Sequence, residues 1–265
     1  MLSEIRNKRL FLLDLDGTLY LDETLFEGTL PFLSRVSEIG GRALFLTNNS
    51  SRGVDAYLEK MARLGIKATA DDFLTSTDAT VCYIKRNHPG TLFYVAGTAS
   101  FRAQLESAGI PVTTDRNHPA IGGVLLGFDT ELTFQKLEDV CVLLRRDLPY
   151  LATNPDLVCP TWYGFVPDCG SVSKMIANAT GKTPRFIGKP EPDMILLALE
   201  RTGYAKSDAL IVGDRVYTDI AAGVRAGIDS VLVLSGEGTV SDVENSPEKP
   251  TWILPDISFI TRQLS

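Results

Sequence analysis

Histidine is nearly absent from this chain: there are two in 265 residues, His88 and His118. Each precedes a proline, which disfavours helical backbone at the residue before it and puts both in extended or turn segments. General acid–base work therefore falls to carboxylates. Cysteine is sparse as well. Cys82, Cys141, Cys159 and Cys169 form no Cys-x-x-Cys pair or other metal-type spacing, which argues against a cysteine metal centre and predicts reduced thiols in a cytoplasmic protein. No run approaches the roughly 18 apolar residues of a membrane helix, and the N-terminus has no signal-peptide core, so no membrane partner is expected. Positive charge is also short: 26 Lys and Arg stand against 33 Asp and Glu, a net charge of −7. That argues against a nucleic-acid surface and leaves room only for a local basic pocket.

What the chain does have is an ordinary globular composition, 44% hydrophobic and 22% charged, and enough length for one large or two modest domains. Its organising stretch runs from Arg9 to Tyr20. Leu10 to Asp14 reads as a fully buried strand, apolar without alternation, and it ends in Asp14, Asp16 and Gly17. Two carboxylates two residues apart project to one side if the backbone stays extended, and their repulsion calls for a proton, a cationic side chain or a metal ion. The plainer reading, a strand followed by an Asp-Gly turn, leaves the second aspartate and Thr18 unexplained.

Beyond it, strands and helices alternate. Leu30–Ile39 has helical spacing, Ala43–Leu46 is a short strand, and a helix from about Gly53 buries Val54, Leu58, Met61 and Leu64. Phe73-Leu74 leads into a helix over Asp78–Lys85. The alternation argues for a parallel α/β sheet. Leu92–Ala96, Phe101–Ala108, Ile121–Leu126, Leu132–Arg146 and Tyr150–Thr153 repeat the pattern with different content, followed by a loop over Asn154–Gly170 and a helix from about Ser171 to Thr180. This predicts a second α/β unit over 88–182, inserted into a first formed by 1–87 and 183–265. From Arg185 the first unit resumes: Phe186-Ile187, a helix through Met194 and Leu197, a strand over Ala209–Val212, a helix over Thr218–Ala226, a strand over Val231–Leu234, an edge strand at Trp252–Leu254 and a helix after Asp256.

Four strand ends carry polar residues: Asp14 with Asp16, Thr47 to Ser50, Lys189 just after Ile187, and Asp214 with Asp219. In a parallel sheet these ends share one edge, so residues 200 positions apart meet there. Acids alone suggest a metal. With Lys189 and Thr47 the set also offers donors to an anion, and a phosphate coordinated by Mg²⁺ suits both halves. Alternatives stand beside each residue. Thr47 can neighbour a helix cap, Lys189 alone reads as a solvated loop lysine, and Asp219 suits the first turn of a helix. Asp22, Glu23 and Arg145-Arg146 read as solvated surface.

These motifs resemble the haloacid dehalogenase-like phosphatases. Asp14-Leu15-Asp16-Gly17-Thr18 matches the first motif, Thr47 the second, Lys189 the third, and Gly213-Asp214-Arg215 with Asp219 the fourth. Thr47-Asn48-Asn49-Ser50, Ala152-Thr153-Asn154-Pro155-Asp156 and Gly188-Lys189-Pro190 resemble the NagD / para-nitrophenyl phosphatase branch, in which a large α/β cap is inserted between the second and third motifs. The resemblance implies a Rossmann-like parallel-sheet core with an inserted α/β cap. It also implies a Mg²⁺-dependent phosphomonoesterase acting on a small phosphorylated metabolite. Asp14 would be the nucleophile and Asp16 the general acid and base. Mg²⁺ would be held by Asp14, the Asp16 backbone carbonyl and Asp214, and phosphate by Thr47, Asn48 and Lys189, with Asn49 facing the same space. Asp219 would support Lys189 or a metal-bound water. The resemblance places the cap loop, with Cys159, Trp162, Tyr163 and Phe165, over the active site, where its aromatics either stack on substrate or pack the cap. It also implies a homodimer through the cap. The resemblance implies an aspartyl-phosphate on Asp14, and a phosphomutase would use the same intermediate. A phospho-accepting regulatory module needs neither Asp16 nor the insertion.

Overall fold

The computed structural model describes residues 2–161 and 163–264. Contacts gather the chain into two compact units, each with its own sheet. The first takes the chain through Thr47, Val54–Leu74 and everything from Lys189. The second takes Asn48–Gly53 and Thr75–Gly188.

In the first unit six strands lie in the order Trp252–Leu254, Asp229–Val233, Ala209–Gly213, Leu10–Leu13, Arg42–Thr47, Phe73–Thr75. The pairings from Trp252–Leu254 across to Arg42–Thr47 are parallel. Leu10–Leu13 is central and wholly buried, which is why its sequence is continuously apolar. Phe11 and Leu13 pack with Val36, Phe45 and Val212, and the Phe11 ring meets Phe32 edge-on at 5.5 Å. Register then does the positioning. Leu13 stands beside both Val212 and Phe45, so Asp14, Gly213-Asp214 and Leu46-Thr47 leave the sheet at one carboxyl edge.

The second unit is a five-stranded parallel sheet, Arg185–Phe186, Tyr150–Ala152, Ile121–Leu126, Leu92–Ala96, Val112–Thr113. Arg185–Phe186 therefore does not resume the first unit. It pairs with Tyr150–Ala152, and the ladder runs on as Ile187 and Gly188 donate to the carbonyls of Ala152 and Thr153. Helix Ser76–Asn87 also groups with this unit, so the units divide at 74/75 and 188/189, where the sequence pattern suggested 87/88 and 182/183.

Local differences have local causes. The stretch 154–170 holds an antiparallel ribbon, Val158–Thr161 with Gly164–Pro167; Pro160 and Pro167 mask its strand signal, and a two-stranded ribbon has outer edges that need no N–H donors. Helix Phe134–Leu143 starts later than its apolar spacing suggests, because the Thr133 hydroxyl accepts from Lys136 N–H and fixes the cap. Val240–Asn245 is helical behind a reciprocal Thr239–Asp242 capping box. Among the described residues no helix is long and apolar enough to cross a membrane.

Because Phe11 anchors the core under the central strand, Phe11→Ala should destabilise the protein by about 3–5 kcal/mol, and Phe11→Leu by roughly half that. Urea unfolding checks this: the midpoints should fall in that order at unchanged slope.

Candidate active site

Asp14 continues the central ladder by one residue, its N–H donating to the Val212 carbonyl at 2.9 Å. The chain then turns at Gly17, whose φ of 84° is left-handed. A side chain there would also strike the Asp214 carboxylate, so glycine is required twice over. Across the edge, Lys189 is buried to 3% exposure. Its Nζ lies 2.5 Å from Asp14 Oδ1, 2.6 Å from Asp219 Oδ1 and 3.4 Å from the Leu46 carbonyl. Burial alone would lower the lysine's pKa, but the two carboxylates outweigh it and hold the ammonium charged.

Asp219 reaches this point because the turn after Asp214 is wide. Over Val216–Ile220 the backbone is π-helical, with Ile220 N–H reaching back to the Arg215 carbonyl at 3.2 Å. That carries the Asp219 carboxylate inward, where its Oδ2 accepts from Arg215 N–H at 3.2 Å. Asp214 is gripped by Ser235–Gly238: Glu237 N–H donates to its Oδ2 at 2.8 Å and Gly238 N–H to its carbonyl at 2.9 Å. Any side chain on Gly236 would collide with that carboxylate. The remaining oxygen, Asp214 Oδ1, is buried and, among the described residues, accepts no hydrogen bond.

One carboxylate oxygen each from Asp14, Asp214 and Asp219 lie within 4.8 Å of one another. Three acids against one buried ammonium leave a surplus of negative charge. Its signature is protonic. Desolvation, with Asp219 adding to it, pushes Asp14 up to about 8 although Lys189 opposes, and the same two causes push Asp214 up to about 6 against the Glu237 N–H. Hard oxygen donors, excess charge and an orphaned buried oxygen suit a hard divalent cation of the Mg²⁺ type. Asp16 sits more openly, its side chain 47% exposed, and Lys60 Nζ is 3.4 Å from its Oδ1. Desolvation raises its carboxyl, and Lys60 opposes that.

The first unit thus brings together Asp14, Lys189, Asp214 and Asp219. Thr47 stands next to Leu46 at the same edge, its hydroxyl 3.3 Å from the Tyr57 hydroxyl. Asn48 and Asn49 belong to the second unit. There Asn48 Nδ2 donates to Asp156 Oδ2 at 2.8 Å, and Asn49 Oδ1 accepts from Ser51 N–H and hydroxyl. Cys159 and Tyr163 lie on and beside the antiparallel ribbon, Tyr163 66% exposed. Trp162 is outside the described residues. Sequence reasoning missed Lys60 and the Ser235–Gly238 loop; the latter's signal was a serine-glycine-rich segment just past a buried strand.

The family described as haloacid dehalogenase-like hydrolase matches residues 11–111, and a second, HAD-hydrolase-like, matches 186–259. An acid sugar phosphatase of Staphylococcus aureus is 33% identical over 260 residues, 98% of this chain and 99% of that one. A 4-nitrophenylphosphatase of Thermotoga maritima superposes with a TM-score of 0.92 at 36% identity, covering 99% of each chain. A glycerol phosphate phosphatase of Mycobacterium tuberculosis, solved with magnesium, gives 0.90 at 29% identity over 99% of this chain and 78% of that one. Fold and site together define a hydrolase of phosphoric monoesters. The chain belongs to the haloacid dehalogenase-like hydrolase family, in its NagD / 4-nitrophenylphosphatase branch.

The raised acids have a measurable consequence. Between the ordinary carboxylate value of 3.8 and about 8, the folded state keeps a proton that the unfolded chain has released. The metal-free protein therefore loses stability as pH rises through that window. A cation competes for the same oxygens, so the rise in Tm on adding Mg²⁺ should be larger at about pH 8 than at about pH 5. Thermal unfolding with Mg²⁺ and with EDTA at both values checks it; an equal or larger rise at the lower pH contradicts it.

Proposed function

We propose that the protein is a Mg²⁺-dependent phosphomonoesterase for small phosphorylated metabolites, working through an aspartyl-phosphate on Asp14. The observation that carries this reading is the ion pair between Lys189 and Asp14 at 2.5 Å, set in a cluster whose carboxylates outnumber its buried ammonium. A carboxylate at the end of a rigid central strand is well placed to act as a nucleophile. One of its oxygens attacks phosphorus as the bond to the ester oxygen breaks. Asp16, two residues on and open to solvent, delivers a proton to the departing alkoxide. It then takes a proton from the water that attacks the phosphoaspartate, which frees Asp14 and releases inorganic phosphate.

Lys189 offsets charge on the phosphate oxygens, and Asp219 holds Lys189 in place from the far side. The Thr47 hydroxyl is a further donor at the same edge. A divalent cation held by Asp14, Asp214 and the Asp16 carbonyl would screen the phosphate dianion from the Asp14 carboxylate. The named activities of the relatives, on sugar phosphate, nitrophenyl phosphate and glycerol phosphate, support a small monoester as substrate.

Phosphate release with Mg²⁺ and with EDTA tests the reading. Turnover should disappear in EDTA and in Asp14→Asn. Asp16→Asn should lower kcat/KM for glycerol phosphate by about 10²–10⁴-fold, and far less for 4-nitrophenyl phosphate, whose leaving group departs readily as an anion, while kcat falls on both because hydrolysis of the phosphoaspartate also uses Asp16. Full turnover by Asp14→Asn would contradict the covalent route. A mutase would move phosphate between positions of its substrate without releasing it.

A further inference from the structure

Lys60, on the helix Val54–Arg63, makes contacts that the steps above do not use. Its Nζ stands 4.0 Å from the centroid of the Tyr20 ring and 3.4 Å from Asp16 Oδ1. Tyr20 is fully buried and belongs to the turn that presents Asp16: its carbonyl accepts Gly17 N–H at 2.8 Å, and it forms an isolated β-bridge with Asp16. Asp16, Tyr20 and Lys60 thus close a triangle in which backbone joins the first two, ring face and ammonium the second pair, and an ion pair the third. The nearby acid Glu23 is taken by Arg63, one turn along the helix, at 3.2 Å, which leaves Lys60 directed at Asp16. Among the described residues Lys60 is the hydrogen-bonding partner of the Asp16 carboxylate.

A half-exposed ion pair of this kind contributes little to stability. What it does supply is direction. An aspartate at 47% exposure would otherwise turn freely about its side-chain bonds, and misplacing a catalytic group by a fraction of an ångström is costly in rate. We infer that Lys60, seated on the Tyr20 ring, is a positioning residue that holds one oxygen of Asp16 and thereby aims the other, proton-carrying oxygen at the leaving group. The inference rests on the reading of Asp16 as general acid.

The test compares kcat/KM, which reports phosphoryl transfer to the enzyme, for glycerol phosphate and 4-nitrophenyl phosphate with Mg²⁺. The proteins are the unaltered one, Lys60→Met, Lys60→Arg and Asp16→Asn, with folding of each followed by thermal unfolding. Methionine keeps the stem over the ring and removes the donor. Lys60→Met should lose about tenfold on glycerol phosphate and less than about twofold on the nitrophenyl ester, and Lys60→Arg should recover most of the loss. Equal losses on both esters, or none, in Lys60→Met would overturn the positioning role while Asp16→Asn still separates the two substrates. If Asp16→Asn fails to separate them, the acid role of Asp16 falls and this inference falls with it.

Discussion

The structure turns on one buried ammonium. Lys189 sits between Asp14 and Asp219 at 2.5 and 2.6 Å, almost without solvent. A buried ion pair is seldom a good way to stabilise a fold, because desolvation consumes most of the attraction, and apolar residues of the same size would often do better. Here the arrangement is not even balanced, since Asp214 adds a third carboxylate within reach. Burial first, and the neighbouring Asp219 charge second, raise the pKa of Asp14 and Asp214, and acids perturbed in this way gather at functional sites.

Holding those groups together requires the sheet. Asp14 and Asp214 leave neighbouring parallel strands in register, and Lys189 reaches the same edge from 175 residues further along the chain. The glycines let the backbone come close: at Gly17 and Gly236 any side chain would occupy the space of the Asp214 carboxylate. The π-helical turn over Val216–Ile220 bends Asp219 back to Lys189. The helix Val54–Arg63 brings Lys60 to Asp16 and Arg63 to Glu23, both in the segment that follows the central strand. Rigid elements thus fix the acids, while the more open Asp16 depends on a side-chain contact for its direction.

Much of this was legible in the sequence, for a physical reason. A strand buried on both faces must be apolar throughout, so the first charged residue after Leu13 or Gly213 marks a sheet edge. Asp219 was ambiguous because an acid in a first turn suits the helix dipole as well as a lysine partner. The grip of Glu237 and Gly238 on Asp214 uses backbone N–H groups, which leave no side-chain signature. Lys60 carries no signal of its own in the sequence, because its role comes from the Tyr20 ring and the Asp16 carboxylate beside it in space. Prolines mask the Val158–Thr161 ribbon, and Arg185–Phe186, with only two residues of pattern, carries too little signal to show that it pairs with Tyr150–Ala152 and not with the first sheet.

The central claim is that Asp14 becomes covalently phosphorylated. Rapid acid quench during turnover of a small phosphate monoester with Mg²⁺, followed by peptide mass spectrometry, addresses it directly. The account predicts a hydroxylamine-labile phosphoryl group on the peptide containing Asp14, and none on that peptide in Asp14→Asn. Turnover with no phosphoryl group on that peptide at any quench time, or with the label on another residue, would contradict it.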